Sequence, residues 1–138
     1  MVSTEVVLYH LQMEQSRNNG LQQRTEAFAK ECIYICSKLR ENATTRPIIT
    51  QLVKASSSVG ANLAEAKNAS SKRDFRNKIY IAKKEAQEAH FWLEIIRSLL
   101  LEEDEKILTL KEECREFVLI FQASVNTINK QNSKQPNT

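Results

Sequence analysis

The sequence predicts an all-α protein, an antiparallel up-down-up-down four-helix bundle with an N-terminal arm. Its 138 residues include two glycines and two prolines, too few for the frequent turns of a β-rich domain. Helix-favouring residues dominate, and apolar residues recur at helical spacing in four segments. A chain of this length forms one domain, in which we distinguish an arm or short helix (1–20), a bundle (21–130) and a disordered polar tail (131–138).

The first two helices are predicted at residues 22–40 and 45–68. In the first, Phe28, Cys32, Ile35 and Leu39 form an apolar face, which Ile33, Tyr34 and Cys36 are expected to widen. The second has Pro47 in its first turn, where a missing N–H is tolerated. Its small residues around Gly60 predict close approach by a neighbouring helix, since glycine is otherwise unfavourable there.

The third helix is predicted to begin after Ser71, whose side chain forms a capping box with Asp74, and to end near Leu100. It carries two apolar stripes. One stripe comprises Phe75, Ile79, Ala82, Ala86, Ala89, Leu93 and Ile96; the other comprises Ile81, Trp92, Ile95 and Leu99. The second stripe either contacts another subunit or is buried within a single chain, and the sequence leaves both open.

The fourth helix is predicted at residues 104–130. Acidic residues at its start favour the helix dipole, and apolar residues from Ile107 to Ile128 follow a seven-residue rhythm. The three cysteines lack zinc-ligand spacing, so we expect reduced, buried thiols and a cytoplasmic protein without a membrane segment. No signal peptide is apparent.

Charge is distributed unevenly along the chain, although the formal net charge is only +3. Residues 54–84 contain eight basic and two acidic side chains, whereas residues 85–116 contain four basic and ten acidic ones. Such asymmetry orients partners or copies of the same chain. The simpler interpretation is two solvated helix surfaces of opposite sign.

Three segments resemble motifs of a known bacterial four-helix-bundle family. They are residues 58–66 (SVGANLAEA), 71–75 (SKRDF) and 81–93 (IAKKEAQEAHFWL), in the family's order and spacing. The family is named after proteins encoded in intervening sequences of 23S ribosomal RNA genes. Ala66 stands where many members have glycine, and the N-terminal arm lies outside the pattern.

The resemblance implies a bundle that assembles, often as a pentameric ring. It also implies kinship with accessory proteins that bind the reverse transcriptases of diversity-generating retroelements. The family's activity is otherwise unsettled, so the resemblance gives a fold and a class of partner rather than a reaction.

A candidate nucleic-acid-binding surface follows the exposed side of the third helix, where we place Lys72, Arg73, Arg76, Lys83 and Lys84. Copied around an oligomer, these cations would form a band that attracts phosphate backbones without sequence preference. The nearby aromatics Tyr80 and Phe91 could stack on bases. For a monomer, a solvated helix surface explains the same residues equally well.

Two further clusters are assigned structural roles. Ser58, Asn62 and Glu65 share one face of the second helix, and we expect hydrogen bonds to the third helix rather than a ligand site. Glu85 and Glu88 are one turn apart, yet the Glu-x-x-His spacing of di-iron bundles is missing. We therefore expect these two carboxylates to form ion pairs and predict no metal or other cofactor.

The sequence contains no nucleophile–base pair, phosphate loop or metal cluster, so we predict that the protein is not an enzyme. The favoured function is a homo-oligomeric scaffold or adaptor for RNA, DNA or a nucleic-acid enzyme such as a reverse transcriptase. The alternative is a protein-interaction or regulatory module without nucleic-acid contact.

Overall fold

The computed structural model describes residues 20–100 and 103–133, whose regular secondary structure is entirely α-helical. We label the four helices in chain order as α1 (Leu21–Ser37), α2 (Thr45–Lys67), α3 (Lys72–Leu99) and α4 (Glu105–Ser133). The predicted boundaries agree to within three residues. The N-terminal arm before Gly20 and the last five residues of the predicted tail lie outside the described residues.

Short polar turns end one helix and begin the next. Asn42 Oδ1 accepts hydrogen bonds from the backbone N–H groups of Thr44 and Thr45, both at 2.9 Å, at the start of α2. Ser71 Oγ accepts from Asp74 N at 3.0 Å, which confirms the predicted cap of α3. The reciprocal bond differs from a standard capping box, because Asp74 Oδ2 accepts from Ser70 N.

A single apolar core lies between the helices. All seven residues of the first stripe on α3 are at most 1% exposed, as predicted. Phe28 and Phe117 meet edge to face across the core, with ring centroids 5.4 Å apart. The three cysteines are free and buried, as predicted, and burial raises the pKa of the Cys114 thiol to about 12. These thiols therefore act as small apolar side chains.

The expected width of the α1 face was wrong. Ile33 and Tyr34 are 48% and 50% exposed, whereas Cys36 is buried. The ring of Tyr34 instead lies beside two ammonium groups, Lys38 Nζ at 5.0 Å and Lys106 Nζ at 4.6 Å from its centroid. Tyr34 therefore contributes to the seam between α1 and α4 rather than to the core.

The helices do not pack with equal closeness. α3 packs extensively on α2 and α4, and α1 packs on α2, whereas the packing of α1 on α4 is much less extensive. Ion pairs join this looser seam: Arg24 contacts Glu113 and Glu116, and Lys38 lies 2.8 Å from Asp104. No helix within the described ranges is long and apolar enough to cross a membrane.

Candidate nucleic-acid and assembly surfaces

Two of the five basic residues predicted on α3 lie on the side of the helix that borders α4. Arg76 Nη1 donates to Asn129 Oδ1 at 3.4 Å, and Lys83 Nζ donates to Gln122 Oε1 at 2.5 Å. Both acceptors are neutral amides, so these bonds position the cations without cancelling their charge. Arg73 and Lys84 are exposed, and Lys72 occupies the first position of the helix. We call these five residues the basic face.

Cations elsewhere mostly contact carboxylates. Lys78, on the α2 side of α3, lies 2.6 Å from Glu65, and Lys111 of α4 contacts Glu94. Arg24, Lys38 and Lys106 are paired in the same way across the seam between α1 and α4. By contrast, neither Arg73 nor Lys84 forms an ion pair with any carboxylate in the described part of the chain. Four residues of the basic face, Arg73, Arg76, Lys83 and Lys84, therefore present positive charge that no carboxylate of the described residues cancels.

Two exposed aromatic side chains flank the basic face on α3. Tyr80 is 43% exposed and lies between Arg76 and Lys83 along the helix, and Phe91 is 55% exposed about three turns after Tyr80. The edge of the Phe91 ring meets the ring of Trp92, with centroids 5.0 Å apart. Flat rings beside cations can support base stacking as well as phosphate contact.

The second stripe of α3 lies about a third of a turn from the basic residues, towards α2, and we call it the assembly face. Ile81 and Leu99 are 40% and 39% exposed, and Trp92 and Ile95 are partly buried. Trp92 Nε1 donates to Glu88 Oε1 at 3.3 Å, which orients the indole. Within one chain this stripe is therefore only partly covered.

Glu85 lies within the assembly face in an unusual environment. Its Oε2 atom is buried and has no hydrogen-bond donor in the described part of the chain. Burial raises the pKa of the Glu85 carboxyl, repulsion from Glu88 adds to the shift, and Lys54 and Lys84 oppose it. The expected ion pairs were wrong: within residues 20–100 and 103–133, neither Glu85 nor Glu88 forms one.

The polar residues predicted on α2 mostly hydrogen-bond their own helix. Ser58 Oγ donates to Lys54 O at 2.7 Å, and Asn62 Nδ2 donates to Ser58 O at 2.8 Å. Glu65 alone of the three reaches α3, through its ion pair with Lys78. Of the expected contacts with α3, the described residues therefore show the one made by Glu65, whereas the hydrogen bonds of Ser58 and Asn62 lie within α2.

Sequence reasoning missed a groove between α3 and α4, with a volume of about 430 Å³. Its lining is largely apolar and includes Val118, the 70% exposed Leu119 and His90. His90 Nε2 is buried without a partner in the described residues; burial, and then Lys111 and Arg115, lower its imidazole pKa. The described residues contain no His, Cys, Asp and Glu cluster that could hold a metal ion.

The chain matches a known family, described as 23S rRNA-intervening sequence protein, over residues 17–123. The chain belongs to this family. The match includes α1, α2 and α3 with both surfaces described above, and most of α4.

A solved protein structure from Bacteroides thetaiotaomicron has a fold similar to that of this chain. It is described as a protein with unknown function from the S23 ribosomal protein family, with 25% sequence identity and a TM-score of 0.66. The similarity covers 75% of this chain and 96% of that chain. No curated protein sequence matches. The comparisons therefore establish the family and its helical fold, and the solved structure is described as having an unknown function.

Proposed function

We propose that the protein is a homo-oligomeric scaffold or adaptor that acts without catalysis and binds nucleic acid or a nucleic-acid enzyme such as a reverse transcriptase. The basic face carries this proposal. Arg76 and Lys83 are held by neutral amides, and Arg73 and Lys84 project into solvent, so the charge of these four residues remains available to phosphate groups. We place this function in the cytoplasm.

In the proposed bundle, consecutive helices run antiparallel in an up-down-up-down arrangement. Pairs across the seams support it: Arg24 with Glu113 near one end of α1, and Lys38 with Asp104 at the other. Glu65 and Lys78 similarly join the end of α2 to the early part of α3. In this arrangement the basic face borders α4 and the assembly face borders α2.

Assembly through Ile81 and Leu99 would leave Arg76 and Lys83 of the basic face uncovered, because these two residues lie on the side of α3 that borders α4. Burying Ile81 and Leu99 against another copy would remove two large apolar side chains from water. Repetition by symmetry would then multiply the positive charge that one copy presents. A closed ring, for example of five copies, would bury the assembly face of every copy and repeat the basic face around the ring.

The experiment that tests this function combines fluorescence anisotropy with light scattering. Labelled single-stranded RNA and DNA are titrated with the protein at several salt concentrations, and the mass of the protein is measured under the same conditions. We expect an oligomer whose binding weakens steeply as salt rises, because bound cations are released. A monomer that binds neither probe at low salt would overturn the proposal.

A second candidate is a protein-interaction or regulatory module without nucleic-acid contact. The groove beside Val118 and Leu119 favours it, because an apolar groove accepts the apolar side of a partner helix. Co-purification from native cells with nuclease treatment separates the two candidates. A partner retained after nuclease treatment, together with no binding of purified RNA or DNA, would support the second.

A further inference from the structure

The outward side of α3 carries cations and aromatic rings in a single row. At alternating spacings of four and three residues, the row consists of Arg73, Asn77, Tyr80, Lys84, Gln87 and Phe91, and all of them are exposed. We call these residues the outer row. From Tyr80 to Phe91 the row is about 16 Å long at ~1.5 Å per residue. This length equals about five nucleotides of a stacked strand at ~3.4 Å each.

The groove between α3 and α4 opens beside the outer row, and Gln87 belongs to both. The groove lies between two contacts that join the helices. Lys83 donates to Gln122 at one end, and Lys111 contacts Glu94 at the other. The lining residues of each helix fall between these contacts along the chain. Each end of the groove therefore carries a lysine.

The lining of the groove suits a flat group with apolar faces and a polar edge. Val118 and the exposed Leu119 provide apolar surface. The Gln87 amide offers both a donor and an acceptor, and the Arg115 guanidinium offers donors. The volume of about 430 Å³ lies within the range of small-ligand sites. A nucleobase has these properties, and an amide that both donates and accepts can pair with the edge of any base.

The groove also favours a ligand with negative charge. Burial lowers the pKa of the His90 imidazole, which lines the groove, and Lys111 and Arg115 lower it further. The opposing effects of Glu94 and Glu112 are smaller, although these carboxylates are the ion-pair partners of the two cations. The cations therefore outweigh their partners at this position. An apolar group attached to phosphates fits the charge of the groove better than an uncharged apolar helix does.

We propose that the groove and the outer row form a binding track for single-stranded nucleic acid, in which one unstacked base occupies the groove. The phosphates lie against Lys83 and Lys84, and Tyr80 and Phe91 stack on neighbouring bases. The proposal rests on the nucleic-acid binding of the proposed function and names its substrate class. A base in a duplex is paired and stacked and would have to be flipped out, so single strands are preferred.

The test uses fluorescence anisotropy of the full-length protein with labelled strands of about ten nucleotides. One strand is intact, the second has abasic sites in place of its central bases, and the third is the intact strand annealed to its complement. We expect the intact strand to bind about tenfold more tightly, or more, than the other two. The abasic strand keeps every phosphate, so its affinity should depend on salt in the same way as that of the intact strand.

A matched pair of variants locates the base. Leu119→Gln removes apolar surface from the groove, whereas Leu108→Gln changes another exposed leucine of α4 that does not line it. We expect Leu119→Gln alone to weaken binding of the intact strand, by about fivefold or more. Binding of the abasic strand should be unchanged in both variants.

Equal affinities for the intact, abasic and paired strands would overturn this inference and leave phosphate binding by the basic face intact. Absence of binding to all three would overturn the proposed function as well. A preference for the intact strand that survives Leu119→Gln would place the base outside the groove and overturn the assignment. Release of a co-purified protein by Leu119→Gln, with binding of all strands unchanged, would instead assign the groove to a partner helix.

Discussion

Gly60 of α2 lies so close to α1 that a Cβ added there would be 2.8 Å from Thr25 Oγ1. Thr25 is fully buried, and its hydroxyl donates to Gln22 O at 2.8 Å, so it cannot move aside without losing that bond. The Gln22 side chain in turn donates from Nε2 to Gly60 O at 3.1 Å. Glycine is therefore required by the contact between these helices.

Gly60→Ala should destabilise the fold despite the better helix propensity of alanine. The propensity gain is at most ~1 kcal/mol, whereas overpacking costs typically ~1–3 kcal/mol. Chemical denaturation should show a net loss of about 1 kcal/mol. Adding Thr25→Ala should recover part of it, because that change removes the opposing hydroxyl. A more stable Gly60→Ala protein would contradict the close contact.

Ser71→Ala should lower the free energy of unfolding by about 1 kcal/mol, because it removes the side-chain acceptor that caps α3. Ser70→Ala is the matched control: Ser70 immediately precedes the capping residue, but its contact with Asp74 uses the backbone N–H. Thermal denaturation of both variants measures the difference. Equal losses would indicate that the cap does not stabilise the helix.

The sequence predicted those parts of the fold that depend on local spacing. The periodicity of α3 identified the buried stripe from Phe75 to Ile96, and a serine before an acid identified the start of that helix. The exposure of Ile33 and Tyr34 also follows from helical spacing, because both lie well off the face that Phe28, Cys32 and Ile35 share; the expectation that they widen it did not apply this spacing strictly.

The candidate surfaces were predicted less completely than the helices. Spacing placed the basic residues on one side of α3, but it could not show that Gln122 and Asn129 would be their partners. The sequence also could not show that Glu85 Oε2 is buried without a donor, because the burial of this atom depends on how α2 packs against α3. Contacts between distant residues require the three-dimensional arrangement.

Ile81→Asp should dissociate the proposed oligomer while the bundle remains folded. Ile81 is 40% exposed in the single chain, so a charge there costs little before assembly but would be buried without a partner afterwards. Light scattering should show monomers, with helical content by circular dichroism unchanged. Leu119→Asp is the control, because Leu119 is 70% exposed on α4. Dissociation by Leu119→Asp alone would place the interface elsewhere.

Replacing Arg73 and Lys84 with glutamine should weaken nucleic-acid binding and reduce the salt dependence of affinity. Each phosphate contact contributes ~0.7–0.9 to the slope of log affinity against log salt, so the double variant should lose about 1.5. Lys30→Gln with Arg40→Gln makes the same change in net charge on exposed positions of α1 and the turn after it. Equal losses in the two double variants would show that net charge matters and the basic face does not.

The pH dependence of stability should reveal the environment of Glu85. Its pKa is raised in the folded state, so folding binds a proton between the ordinary glutamate pKa and the raised value. This group therefore favours folding more as pH falls through that window, and opposes it at neutral pH. Glu85→Gln should raise the melting temperature at pH 7 and remove this part of the pH dependence.

Glu94 provides a comparison of opposite sign. Its hydrogen bond with Lys111 lowers the pKa of the Glu94 carboxyl, so its stabilisation is present at neutral pH and is lost as pH falls through the lowered pKa. Glu94→Gln should lower the melting temperature at pH 7, whereas Glu85→Gln raises it. Denaturation series from pH 3 to 7 measure both trends. Parallel trends in the two variants would mean that the buried oxygen of Glu85 has a donor in solution, since its carboxylate would then stabilise the fold as that of Glu94 does.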